Sequence, residues 1–151
     1  DEAAYLTAYC YYLEAPKHSL DQAYTFKAIN EIQLFINTHP KSDKLEDCNN
    51  YMEELRSKLE LKSYEIAYQY FKTRQYKAAM TAFTTTVSEY PDTPYREDAL
   101  YYKTLAAFKL ANNSLESLQN ERFTEAKTAL NDFEEAFPNS GRLEDLRKLI
   151  H

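Results

Sequence analysis

The stretch Tyr64 to Asp98, YEIAYQYFKTRQYKAAMTAFTTTVSEYPDTPYRED, decides the fold. Tyr76, Ala79, Met80, Phe83, Val87 and Tyr90 recur at the spacing of one apolar stripe on a 3.6-residue helix. Pro91 cannot continue a helix, so the stripe ends at Glu89 or Tyr90. Thr93 is placed to accept an orphan backbone N–H at the start of the next helix. The stretch therefore reads as two antiparallel helices, a proline stop and the opening of a third.

The unit occurs three times. An Ala, an apolar residue four positions on and a Pro eight beyond that occur at Ala28, Ile32, Pro40, at Ala79, Phe83, Pro91, and at Ala126, Leu130, Pro138. The tails PKSDKLED, PDTPYRED and PNSGRLED each carry a hydroxyl two residues after the proline and Glu-Asp at six and seven. Three aligned copies mark a repeat architecture.

Composition agrees. The 151 residues include a single Gly, which leaves almost nothing for hairpins or phosphate loops. The five prolines, at 16, 40, 91, 94 and 138, all fall between periodic segments. The fold expected is all-α, an α-solenoid of about seven antiparallel-paired helices in one domain over 1–151. Its repeats span roughly 2–40, 43–91 and 95–138, and a last helix begins in 142–150. Turns are expected at 14–19, 38–42, 73–75, 90–94, 118–122 and 137–141.

Outward from the centre, residues 2–13 form a first helix whose DEAAY aligns with EDALY at 97–101. By the repeat's own logic a proline turn should precede Asp1. The chain thus reads as a fragment lacking an upstream repeat, with Tyr5, Leu6, Tyr9 and Tyr12 as an exposed face. Ser19 or Asp21 can cap the second helix. From Ser42 to Arg74 no breaker appears, so one long helix should join two repeats. The polar run NNSLESLQN at 112–120 reads as an insertion or an extended helix end, and its Asn112-Asn113-Ser114 glycosylation pattern is too short to carry weight.

Chemistry is sparse. His18, His39 and His151 share no ligand spacing with one another or with Cys10 and Cys48. His39 takes the place of Tyr90 and Phe137 before the proline, which packing explains. Glu53-Glu54 and Glu134-Glu135 suit solvated helix faces, and no Ser or Cys nucleophile has a readable base. No cofactor or metal is implied, and the reading is non-enzymatic. A net charge of −6 argues against nucleic acid as partner, and no segment approaches the ~18 apolar residues of a membrane span.

Ala67, Tyr70, Tyr76, Ala79, Phe83 and Pro91 are similar to a tetratricopeptide repeat, although the proline spacings exceed that repeat's usual length of about 34 residues. A narrower resemblance fits the excess. LDQAYTFKAINEIQLFINTHPKS, the long helix, and YEIAYQYFKTRQYKAAMTAFTTTVSEYPDTPYREDAL resemble the BamD (ComL/YfiO-type) lipoproteins of the outer-membrane β-barrel assembly machine. The resemblance covers about residues 2–111. The family's lipid-bearing N-terminal cysteine has no counterpart in Cys10 or Cys48, and the Gly often found in the central turn is Gln75 here.

The resemblance implies a scaffold at the periplasmic face of the outer membrane, lipid-anchored in the full-length protein. It would bind the barrel-forming subunit through its POTRA domains and receive unfolded barrel proteins. An envelope tetratricopeptide protein of the cell-division coordinator type and a general peptide-binding adaptor are the alternatives. Adaptors that grip carboxylates need Lys and Asn where this register offers Tyr64 and Tyr68. Two sets of binding residues follow. Tyr64, Tyr68 and Phe71 project toward a concave peptide-binding side, unless they pack on the neighbouring repeat. Lys72, Arg74 and Lys77 form a cationic turn matching the one that carries an arginine in the family. Lys72 and Arg74 also suit a helix C-terminus without any partner.

Overall fold

The computed structural model describes residues 2–15 and 22–150. Among them are seven α helices and no strand: α1 (Glu2–Glu14), α2 (Ala23–Thr38), α3 (Leu45–Lys72), α4 (Tyr76–Glu89), α5 (Arg96–Asn112), α6 (Glu116–Ala136) and α7 (Leu143–Arg147). A 3-10 turn, Lys148–Ile150, follows α7. Most of the turn expected at 14–19, with Ser19 and Asp21, lies outside the described residues. Contacts gather into two compact units, Asp1–Leu59 and Glu60–His151, and α3 contributes to both. The expected long helix is continuous over 28 residues.

The repeat is a physical device at each proline. The residue before it, His39, Tyr90 or Phe137, leaves the helix at φ −132°, −128° or −134° while its N–H still reaches the carbonyl four back. The hydroxyl two after the proline then accepts the N–H two residues further on: Lys44 to Ser42 Oγ at 3.1 Å, Tyr95 to Thr93 Oγ1 at 3.3 Å, Arg142 to Ser140 Oγ at 3.1 Å. Donors that the next helix cannot yet use are thereby satisfied.

The residue four after each proline lies over a tyrosine of the preceding first helix. Lys44 Nζ is 5.3 Å from the Tyr5 ring centre, Tyr95 stacks on Tyr64 at 5.1 Å, and Arg142 sits 4.5 Å above Tyr101. Arg142 also donates to Asp98 Oδ1 at 2.5 Å, and Ser140 Oγ donates to Glu97 Oε1 at 2.6 Å. The Glu-Asp pair that follows Pro91 thus receives two side chains from the Pro138 tail.

In the first unit the core is Ala8, Ala28, Ile32, Phe35, Cys48 and Leu55, with α1 packed on α2. His39 stacks on Phe35 at 4.8 Å, as Phe137 lies against Phe133 at 5.4 Å, so packing accounts for this histidine as expected. Both cysteines are free thiols, Cys10 exposed and Cys48 buried. In the second unit Ala67, Ala79, Phe83, Ala99 and Ala106 form one cluster, and Ala107, Phe108, Ala126, Leu130 and Phe133 another. Buried alanines on the facing helices let α4 pack on α5 and α5 on α6 around fully buried phenylalanines.

Two local expectations are corrected, and the central turn holds a feature the sequence did not signal. The turn before the last long helix is at 113–115, not 118–122. Ser114 closes it: its Oγ donates to Leu110 O at 2.5 Å and accepts from Arg122, while Gln119 Nε2 reaches Ser114 O at 3.2 Å. The residue in the left-handed region of the central turn is Arg74, at φ 64°, whereas Gln75 has φ −90°. Finally, Tyr5, Tyr9 and Tyr12 are not an exposed face. Tyr12 stacks on Tyr51 at 4.2 Å, Tyr9 meets Tyr51 at 5.6 Å, and Tyr5 meets Phe35 at 5.8 Å. Of that set Leu6 alone is exposed, at 50%.

Candidate partner-binding site

The turn joining α3 to α4 is built by a Schellman motif. Arg74 N–H bonds Phe71 O at 3.1 Å and Gln75 N–H bonds Tyr70 O at 2.9 Å, which satisfies the last carbonyls of α3. The position between them must be left-handed, and glycine is the residue that takes it without cost. Here it is Arg74, the one non-Gly residue with positive φ among those described. A side chain there costs about 1–2 kcal/mol, so local stability does not explain the arginine.

The surrounding cations divide the same way. Lys72 closes α3, where exposed carbonyls favour it, and its Nζ lies 5.7 Å from the Tyr68 ring centre. Lys77 stands in the first turn of α4, where the helix dipole opposes a positive charge. Helix-end electrostatics therefore favour Lys72, offset only part of the backbone cost at Arg74 just past the end of α3, and do not account for Lys77. All three are exposed, and the Arg74 guanidinium and Lys77 ammonium make no hydrogen bond or ion pair among the described residues.

Tyr64, Tyr68 and Phe71 have a different fate. Tyr64 is stacked under Tyr95, and Tyr68 and Phe71 meet Tyr102 of α5 at 5.0 and 5.2 Å. Phe71 also touches Tyr76 at 5.8 Å. Burial, with Asp98 nearby, raises the Tyr64 phenol above its ordinary value. The three rings pack against the neighbouring repeat, the alternative the sequence left open, and each remains half-buried. Three aromatic rings on one helix face need a large apolar surface opposite them. Tyr102, not singled out in the sequence, supplies that surface by facing Tyr68, Phe71 and Phe83 together.

Beside the cationic turn lies a cleft of about 330 Å³ between α4, the end of α5 and the start of α6. Met80, Leu110 and Leu118 supply its apolar lining, with Lys77 and Arg122 as cations and Glu121 and Glu125 as anions. None of the α5 or α6 lining residues was identified from sequence; Leu118 lies in the segment at 112–120, which reads as polar.

Comparison with protein families matches residues 1–116 to the YfiO model, described as an outer membrane lipoprotein. The chain belongs to the YfiO family. Residues 98–140 additionally match a tetratricopeptide repeat model, over α5, α6 and the Pro138 turn. A comparison with curated proteins gave no match. The YfiO match includes the turn at 73–75 and α4 entire, and it ends just as α6 begins. Among the described residues no helix is long and apolar enough to cross a membrane.

Proposed function

We propose that this YfiO-family chain is a non-enzymatic scaffold of the outer-membrane β-barrel assembly machinery, acting at the periplasmic face. It docks a POTRA domain of the barrel-forming subunit through Lys72, Arg74 and Lys77. The observation that carries the reading is Arg74: an exposed guanidinium, unpaired among the described residues, held in a backbone region that disfavours it. Strain retained at an exposed turn is characteristic of sites whose geometry serves a contact. A planar guanidinium suits a carboxylate, which it can grip with two parallel bonds. The aromatic trio forms no part of this reading, because Tyr95 and Tyr102 occupy its rings.

The test is a titration of the chain with its cognate POTRA fragment. Arg74→Glu keeps the fold, and weakens binding by about 2–5 kcal/mol if a desolvated pair is lost. An unchanged affinity with a correctly folded variant would leave the turn without this role.

A further inference from the structure

The segment at 112–120 has a structural consequence that the scaffold reading does not use. Measured from its proline, α6 begins seven residues earlier than α4, an extension of roughly two turns. Those added turns carry Leu118, Glu121 and Arg122, which form one wall of the cleft facing Lys77 and Met80. The extension is thus what makes the cleft. It also leaves apolar groups in water: Leu115 is 75% exposed, the most exposed large apolar side chain described, and Leu118 is 37% exposed. On the opposite wall the Thr81 hydroxyl donates to Lys77 O at 3.3 Å, which turns the hydroxyl onto the helix backbone.

Charge around the opening selects the occupant. The lining itself is balanced, Lys77 and Arg122 against Glu121 and Glu125. Arg74, three residues before Lys77 and without an ion pair among the described residues, adds positive charge next to the α4 wall, in a chain whose net charge is −6. Such a local excess attracts acidic segments and repels basic ones.

We propose that this cleft binds an apolar side chain carried on an acidic segment of a partner protein. The anchor sits against Met80, Leu110 and Leu118, and the flanking carboxylates face Arg74 and Lys77. The acidic half of this proposal rests on the partner-docking role of the turn. The apolar half rests on the cleft alone.

The test uses the full chain and three fluorescein-labelled peptides of about 14 residues. In the first a central Leu-Phe pair is flanked by aspartates; in the second it is flanked by lysines; the third keeps the aspartates and replaces the pair by serines. Saturable binding of the first peptide only is expected, and Leu118→Lys and Arg74→Glu should each weaken it about tenfold or more. Leu118 and Arg74 are both solvent-exposed, and unchanged melting curves verify that neither variant unfolds the chain. Sensitivity to Arg74→Glu without sensitivity to Leu118→Lys overturns the cleft and leaves the cationic turn standing. Sensitivity to Leu118→Lys alone upholds the apolar cleft and overturns the acidic half of the proposal, while the POTRA titration decides the docking role of the turn separately. No binding of the first peptide overturns the proposal, as does sedimentation showing a dimer that Leu118→Lys abolishes, since the occupant is then a second copy.

Discussion

Tyr95 lies flat on Tyr64, with ring centres 5.1 Å apart and planes 7° from parallel. Tyr95 is four residues after Pro91, and the corresponding residues after Pro40 and Pro138 are Lys44 and Arg142, each over its own tyrosine. The position therefore seats a flat or cationic group on an aromatic face in every copy, by ring stacking once and by cation–π contact twice. Tyr95→Ala should lose about 0.5–1.5 kcal/mol for the stack beyond the lost burial, while Tyr95→Phe should retain it. Urea unfolding of both variants measures this. An alanine variant as stable as wild type would show that the stack is incidental.

Thr86 breaks the repeat and is explained by its partner. Phe35 and Phe133 occupy the matching positions of α2 and α6, four before the residue that leaves the helix, and all three are buried. In α4 the site faces Ser63, whose Oγ is 2.6 Å from Thr86 Oγ1, while Thr86 donates to Ala82 O at 3.1 Å. Thr86→Val keeps the shape and deprives Ser63 of its acceptor, so it should cost about 1–3 kcal/mol. Adding Ser63→Ala should recover most of that loss, because neither partner is then left unpaired. A double variant no more stable than Thr86→Val would show that the hydroxyls do not act as a pair.

How much of this was legible in the sequence follows from which residues signal locally. Ala28, Ala79 and Ala126 with their prolines marked the helices and their ends, because a proline acts on its own neighbours. The turn at 113–115 has no proline or glycine. It is held by Ser114, Arg122 and Gln119, residues that elsewhere would read as helix surface. The left-handed site was not legible for a similar reason: glycine is the usual flag for that conformation, and Arg74 carries none. The aromatic trio was legible as aromatic, but only the position of Tyr102 on α5 decides that the rings face inward.

The tyrosines of the first unit predict an alkaline transition. Tyr12 donates to Glu54, and that bond, then burial, pushes its phenol up to about 12. Tyr51 is likewise pushed up to about 12, first by its bond to Tyr5 and then by burial. A phenol whose pKa is raised by folding gives its full stabilisation below its unfolded value of ~10 and loses it as pH climbs through the folded value. Stability should therefore fall between about pH 10 and 12, and less steeply in Tyr12→Phe, which has no such proton to lose. Absorbance of tyrosinate followed together with far-ultraviolet circular dichroism reads both events. Ionisation of every tyrosine near its ordinary value, with the helix signal unchanged, would contradict the assignment.

Arg74→Gly separates stability from function at the central turn. Glycine takes a φ of 64° without the clash of a β-carbon, and the two backbone bonds from Arg74 and Gln75 to Phe71 and Tyr70 need no side chain. Relief of the clash is partly offset by the greater freedom of glycine in the unfolded chain, so a gain of roughly 0.5–1 kcal/mol is expected. If the guanidinium serves partner docking, the same variant should bind the POTRA fragment more weakly even though it melts higher. Those two changes have opposite signs, which distinguishes this outcome from damage to the fold, where stability and binding fall together. A glycine variant that is more stable and binds as well as wild type would mean that the strain at Arg74 has no role in docking.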